Sequence, residues 1–185
     1  MAKRFWDRAV LTAFAESVGD GGLVADIGCG PGRIAGFLAT QRTRVHGIDL
    51  SPEMVAVARK RFPEIDFDVG SMTALDIADG SRAGLVAWYS LIHIPPPERG
   101  GVLAEFHRVL RPGGKLLLAF QVGTDILHLD EGYGHTVSLD FHRFSIDELA
   151  SSLEAHGFTT DLRIERRAED GERAPQGYLM MTRSS

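Results

Sequence analysis

Apolar positions along the chain fall into short segments that alternate between helical and strand periods. From about Lys3 to Val18, residues Phe5, Ala9, Leu11, Phe14 and Val18 recur near helical spacing, which predicts an amphipathic helix. Gly19-Asp20-Gly21-Gly22 stops it. Leu23 to Ile27 is an apolar run too short for a helix and suited to a buried strand. A helix over Pro31 to Thr40 follows, with Pro31 in its first turn, where a missing N–H costs nothing. Arg44 to Ile48 is a second strand. Ser51-Pro52 then opens a helix, the serine as N-cap and the proline as first helical residue. Ile65 to Val69 and Leu85 to Tyr89 give strands three and four.

The second half continues the alternation. Pro97 to Leu110 is helical and ends at Arg111-Pro112-Gly113-Gly114, before an apolar fifth strand from Lys115 to Phe120. Gln121 to Phe144 shows no clear period and reads as a long excursion of the kind that carries function. Ser145, with Glu148 three residues on, forms a capping-box pattern for a helix to Ala155, which Gly157 ends. Phe158 to Ile164 and Gly177 to Thr182 are the last two strands, joined by the polar stretch Glu165 to Gln176. Such alternation implies an α/β fold: one doubly wound, mostly parallel sheet of seven strands with helices on both faces, in a single domain over residues 1–185.

Composition narrows the class. The 185 residues are 24% charged and 44% hydrophobic, ordinary values for a globular domain. A net charge of −5 disfavours a nucleic-acid backbone as partner. Cys29 is the single cysteine, so no internal disulfide forms and a reducing, cytoplasmic setting is expected. No apolar run approaches the roughly 20 residues of a membrane helix, and no membrane association is expected.

Two features carry chemistry. Asp26-Ile27-Gly28-Cys29-Gly30-Pro31-Gly32 lies between the first strand and its crossover helix. Glycines there allow a sharp turn and close approach of a ligand, and the helix N-terminus favours an anion. By itself the loop also admits a plainer reading, a tight strand-to-helix turn. Asp49 ends the second strand, where an acid accepts hydrogen bonds from the two hydroxyls of a ribose. The competing reading, an acid favouring the next helix dipole, is weakened because Ser51 already caps that helix. The glycines run as GxGxG rather than the GxGxxG of dinucleotide sites.

With its preceding acid, this loop resembles motif I of class I S-adenosylmethionine-dependent methyltransferases, and other blocks follow that family in order. They are His46-Gly47-Ile48-Asp49-Leu50-Ser51-Pro52-Glu53-Met54, Asp68-Val69-Gly70-Ser71-Met72, Ala87-Trp88-Tyr89-Ser90-Leu91-Ile92-His93, and the run from Glu105 to Lys115 containing Pro112-Gly113-Gly114. The resemblance spans about Ala25 to Phe120. It implies a Rossmann-like fold whose last strand is antiparallel, S-adenosyl-L-methionine as cofactor, and a small-molecule methyl acceptor. It also implies roles. Gly28 and Gly30 pass the methionine portion, Asp26 orients its amino group directly or through water, and Asp49 holds the ribose. Leu50 and Met54 press on adenine, Ser71 and Met72 meet its polar edge, and Tyr89 lies beside the sulfonium. Many relatives carry an acid where Ser71 stands, so a hydroxyl and the Met72 N–H replace a charged contact here.

In-line methyl transfer asks the protein mainly for alignment. A hydroxyl acceptor must also lose a proton, and His93, just past the fourth strand, is the candidate base; the competing reading is a packing histidine bonded to backbone. Tyr133, His135 and His142 in the excursion are candidate substrate contacts, whereas His107 and Arg108 cover the sheet or meet solvent. The family's substrate-covering segment is expected upstream of the first helix, from residues 121–144, or from a second subunit in a homodimer. No metal site is expected, since no cysteine pair or helically spaced histidine pair occurs. Ile94-Pro95-Pro96-Pro97 is not the Asn-Pro-Pro-aromatic signature of amide and exocyclic-amine methylation. The expected function is therefore methyl transfer from S-adenosylmethionine to an oxygen or nitrogen of a small molecule. The alternatives are a nicotinamide-dependent oxidoreductase and a non-catalytic relative that binds the cofactor.

Overall fold

The structure is a computed structural model that describes residues 5–132 and 135–185, with side chains described outside 130–139. Seven strands form one sheet in the order β3-β2-β1-β4-β5-β9-β8. They are β1 (Leu23–Ile27), β2 (Arg44–Asp49), β3 (Asp66–Val69), β4 (Arg82–Trp88), β5 (Leu110–Gln121), β8 (Phe158–Arg166) and β9 (Gln176–Arg183). β1 to β5 pair in parallel, and β9 runs antiparallel to both β5 and β8. The chain returns from β3 to place β4 on the far side of β1. Strand order thus reverses there, and a crevice opens beyond the carboxyl ends of β1 and β4.

Burial on both faces explains why the central strands read as continuous apolar runs. Adjacent residues Leu85 and Val86 of β4 belong to opposite cores. One core packs α4 (Pro96–Val109) and α5 (Ile146–Ala155) through Val102, Leu103, Phe106, Leu149 and Leu153. The other packs α1 (Phe5–Val18) and α2 (Arg33–Thr40) through Leu11, Phe14, Ile34 and Leu38. A smaller cluster seats α3 (Pro52–Arg61) on β3 through Val55, Ala58, Ile65 and Phe67. Both expected N-caps form: the Ser51 hydroxyl accepts from the Met54 N–H at 3.2 Å and Ser145 from Glu148 at 3.4 Å.

The structure shifts several sequence expectations. Helix α2 starts at Arg33, because Gly32 takes a left-handed conformation at its N-cap and holds Pro31 in the turn. Helix α4 ends at Val109, ahead of the Pro112-Gly113-Gly114 turn: the chain is already paired with β4 at Leu110, and the turn bulges out between Leu110 and Lys115. In α1 the buried stripe includes Asp7 and Val10, while Phe5 and Ala9 are exposed. Asp7 is buried because its carboxylate accepts from the Tyr178 hydroxyl at 2.8 Å, which rotates the helix relative to a purely apolar stripe. Most of the excursion is a second sheet, the hairpin β6 (Ile126–Gly132) and β7 (His135–His142).

Arg108 fixes the segment between β3 and β4. It donates to the carbonyls of Leu75 and Ile77 and to Asp79 and Glu105, while Glu105 accepts from the Leu75 N–H at 2.8 Å. Arg108→Met keeps the apolar stem but strands both carbonyls. It is expected to lower stability by about 2 kcal/mol, at the lower end for charged hydrogen bonds, measured by urea denaturation. An unchanged midpoint would show that the segment is held by its apolar contacts alone.

Candidate active site

The loop after β1 is tied to the end of β2 by backbone and carboxylate. The N–H groups of Gly28 and Cys29 both donate to the Ile48 carbonyl, at 2.7 and 3.0 Å. Asp49 accepts the Gly30 N–H at 2.7 Å on one oxygen and the Ser51 N–H at 2.9 Å on the other. Each carboxylate oxygen keeps a second acceptor site, so the pair can still receive a diol.

Two glycines of the loop serve different ends. Gly28 has φ 71°, and a Cβ there would lie 2.3 Å from the Ser90 Cβ. Ser90 follows β4 and donates its hydroxyl to the Ile27 carbonyl at 2.6 Å. Gly28 is therefore required by close packing of two strand ends. Gly30 has φ 52° and nothing within 4 Å of an added Cβ. Its open face is where a ligand can approach the backbone.

Asp26 has no accessible surface. One oxygen accepts the Ala35 N–H at 3.0 Å and the other has no partner among the described residues. Burial, reinforced by the nearby Asp49 charge, pushes its pKa up to about 7. Without accessible surface its carboxylate offers no direct contact to a ligand in this structure. Burial likewise raises the Cys29 thiol, which stays protonated.

The expected adenine contacts sit at the carboxyl ends of β2 and β3. Leu50 is 73% exposed and Met54 41%, and Val69, which the sequence reading passed over, is 51% exposed. Large apolar groups gathered at one edge form a surface suited to a flat ring. The Ser71 hydroxyl bonds to Thr73 and Met72 packs on the core.

Tyr89 leaves β4 with φ 54°, a strained conformation for a non-glycine residue. Its hydroxyl donates to the Gln176 side chain at 2.6 Å, and burial raises its pKa. His93 ends the 3-10 turn Leu91–His93. Its Nδ1 lies 3.2 Å from the Asp140 carbonyl of β7, and its ring meets Phe141 edge-on at 4.7 Å. A carbonyl only accepts, so Nδ1 carries the hydrogen and Nε2 carries a lone pair. Partial desolvation against the hairpin, in a residue that keeps an exposed face, lowers the His93 pKa, which favours the neutral form. His142 is buried, at 6% exposure, so its expected substrate contact requires the hairpin to part from the body. Tyr133 lies outside the described residues, as does the side chain of His135. His107 meets Phe158 edge-on at 5.5 Å and Arg108 anchors a loop, so both serve packing in this structure. The sequence reading missed Ser90 and Gln121; the former was legible only once β1 and β4 were neighbours.

Sheet order, glycine loop and Asp49 together define a nucleotide-cofactor domain of Rossmann type. A family model described as a methyltransferase domain matches residues 24–114. A demethylmenaquinone methyltransferase of Beutenbergia cavernae is 36% identical over 116 residues, covering 63% of this chain and 47% of that protein. The ubiquinone/menaquinone biosynthesis C-methyltransferase UbiE of Methylobacterium nodulans is 34% identical over 139 residues, covering 70% and 54%. The chain thus spans about half the length of these relatives. In fold it matches the crystal structure of a SAM-dependent methyltransferase from Methanosarcina mazei, with TM-score 0.84, 21% identity, and coverage of 93% and 97%. The chain belongs to the class I S-adenosylmethionine-dependent methyltransferase family, whose cofactor is S-adenosyl-L-methionine. This sets aside the nicotinamide-dependent alternative.

Two outcomes follow from the loop. Gly28→Ala is expected to lower Tm by several degrees, about 2 kcal/mol of overpacking, with partial recovery on adding Ser90→Gly; no loss would show that the two strand ends can part freely. For Asp26, the folded pKa lies above the unfolded value of 3.8, so its contribution to stability is lost as pH rises toward about 7. Asp26→Asn should therefore gain Tm relative to wild type as pH rises from about 4 to about 7, with the gain levelling off above. A pH-independent difference in thermal scans would contradict the buried charge.

Proposed function

We propose that this chain, acting as one domain, transfers a methyl group from S-adenosylmethionine to a small-molecule acceptor. The observation that carries the reading is the Asp49 carboxylate standing beside the open face of Gly30. The residues fit the cofactor's charge. Asp26 and Asp49 repel each other across the loop, and Asp26 keeps an oxygen without a partner, so a cationic sulfonium and ammonium would relieve both. Asp49 would hold the ribose, Gly28 and Gly30 the methionine portion, and Leu50, Met54, Ser71 and Met72 the adenine. Tyr89 would border the reacting centre. When bound, the cofactor supplies a methyl group on positively charged sulfur, and that carbon–sulfur bond breaks with its electron pair left on sulfur.

The chain's own part is to align the acceptor and take its proton. Nε2 of His93 has the lone pair for that role, while the Asp140 carbonyl fixes the ring's tautomer and orientation. The acceptor is read as oxygen or nitrogen; one relative's name specifies carbon, and a carbon beside an ionised hydroxyl would use the same base. The acidic net charge supports a small molecule over nucleic acid, and the single cysteine supports a cytoplasmic setting. Residues 121–144 would be the substrate-side cover.

Calorimetry with S-adenosylhomocysteine tests the cofactor site. Asp49→Asn is expected to weaken binding by about tenfold or more, the loss of a charge-assisted contact, and unchanged affinity would remove Asp49 from the site. His93→Ala should lower turnover by about 10²–10⁴-fold with little change in product affinity. Because its pKa is lowered, the wild-type rate should fall on acidification only below histidine's usual 6.5. An acid limb above that value, or one kept in His93→Ala, would exclude His93 as the base.

A further inference from the structure

A second feature lies beside the cofactor loop. A cleft of about 560 Å³, lined by Arg33, Tyr89, Gln121, Leu127, Arg173 and Gln176 among others, opens at the carboxyl ends of β4 and β5. That volume is in the range of about 300–1,000 Å³ typical of small-molecule sites. Arg33 is the first residue of α2, directly after Gly32 of the loop. Leu127 pairs across the hairpin with Phe141, on which the His93 ring rests. The cleft thus borders the first turn of α2 beside the cofactor loop, and the hairpin that forms one of its walls also carries the residue on which the candidate base rests.

Its polar groups are unevenly satisfied. The Tyr89 hydroxyl donates to Gln176, and the Gln176 amide donates one of its two N–H groups to the Ala174 carbonyl at 2.7 Å, so those two side chains hold each other in place. The cleft's carboxylates are engaged as well. Asp7 accepts from Tyr178, and Glu172 makes a two-pronged pair with Arg166 at 2.6 and 2.7 Å. Among the described residues, the groups left over include two exposed guanidinium groups with no hydrogen bond or ion pair, Arg33 and Arg173, and the buried Gln121 side-chain oxygen with no donor. Guanidinium forks match oxyanions, and a buried amide oxygen calls for an O–H or N–H.

We propose that this cleft is the acceptor subsite and selects a small molecule bearing an oxyanion, carboxylate or phosphate ester, for Arg33 and Arg173, with a hydroxyl or amine donor directed at Gln121. The inference rests on the methyl-transfer reading and adds the chemistry of the acceptor. It explains why a chain of net negative charge keeps two unpaired arginines at the mouth of its site.

The test is calorimetry on the whole chain saturated with S-adenosylhomocysteine, titrating hydroxybenzoates and hydroxyphenyl phosphates against their amides and neutral analogues. The acids or the phosphates should bind about tenfold more tightly than their neutral partners, and which series wins distinguishes the two oxyanions. Arg33→Gln with Arg173→Gln should abolish that preference, and Gln121→Leu should weaken acids and neutral analogues alike by about fivefold. Arg173→Gln alone should leave S-adenosylhomocysteine affinity unchanged. Binding of S-adenosylhomocysteine without any preference for charged ligands, or a preference that survives the double substitution, overturns the subsite and spares the methyl-transfer reading. Failure of S-adenosylhomocysteine to bind overturns both.

Discussion

The site depends on one carboxylate. Asp49 ends β2 and accepts backbone N–H groups from the loop after β1 and from the cap of α3. Those two segments are distant in sequence, and the parallel pairing of β1 with β2 brings them together. The carboxylate sets the position of Gly30, which in turn sets the open face a ligand can use. Hydrogen bonds to an ionised acceptor are among the stronger ones in proteins, at about 1.5–3 kcal/mol each. A single side chain can therefore order a loop that has little apolar area of its own.

A second tier of polar contacts holds the far wall. Asp7 of α1, Tyr178 of β9, Arg166 of β8 and Glu172 form a hydrogen-bonded chain that crosses the layers. Arg166 and Glu172 are nearly buried, at 9% and 6% side-chain exposure. A buried pair costs desolvation and is retained here with both partners fully engaged, so removing one would leave a stranded charge. The chain fixes α1 and the 167–175 connection around the cleft. The hairpin β6–β7 contributes Leu127 to the cleft and holds His93 through Phe141 and the Asp140 carbonyl, which makes the orientation of His93 a property of the hairpin as much as of β4.

Much of this was legible in the sequence where local signals and global fold agree. Strands β1, β4 and β5 stand out because burial on two faces demands continuous apolar runs, and the caps at Ser51 and Ser145 are local chemistry. Asp49 was legible by its place at a strand end. The excursion at 121–144 was not read as a hairpin, although Val137, Leu139 and Phe141 alternate as a half-buried strand does; the polar and glycine residues around them masked the period. Buried Asp7 was illegible because its partner, Tyr178, lies at the other end of the chain. The same holds for the packing role of Gly28, whose neighbour Ser90 lies far along the chain.

The most direct measurement is a crystal structure of the chain with S-adenosylhomocysteine. The account requires the ribose hydroxyls within hydrogen-bond distance of Asp49, the amino-acid portion over Gly30, and the adenine against Leu50, Met54 and Val69, with the Asp49–Gly30 contact kept. A ligand bound elsewhere, or a loop that releases Asp49 when the ligand enters, would contradict it.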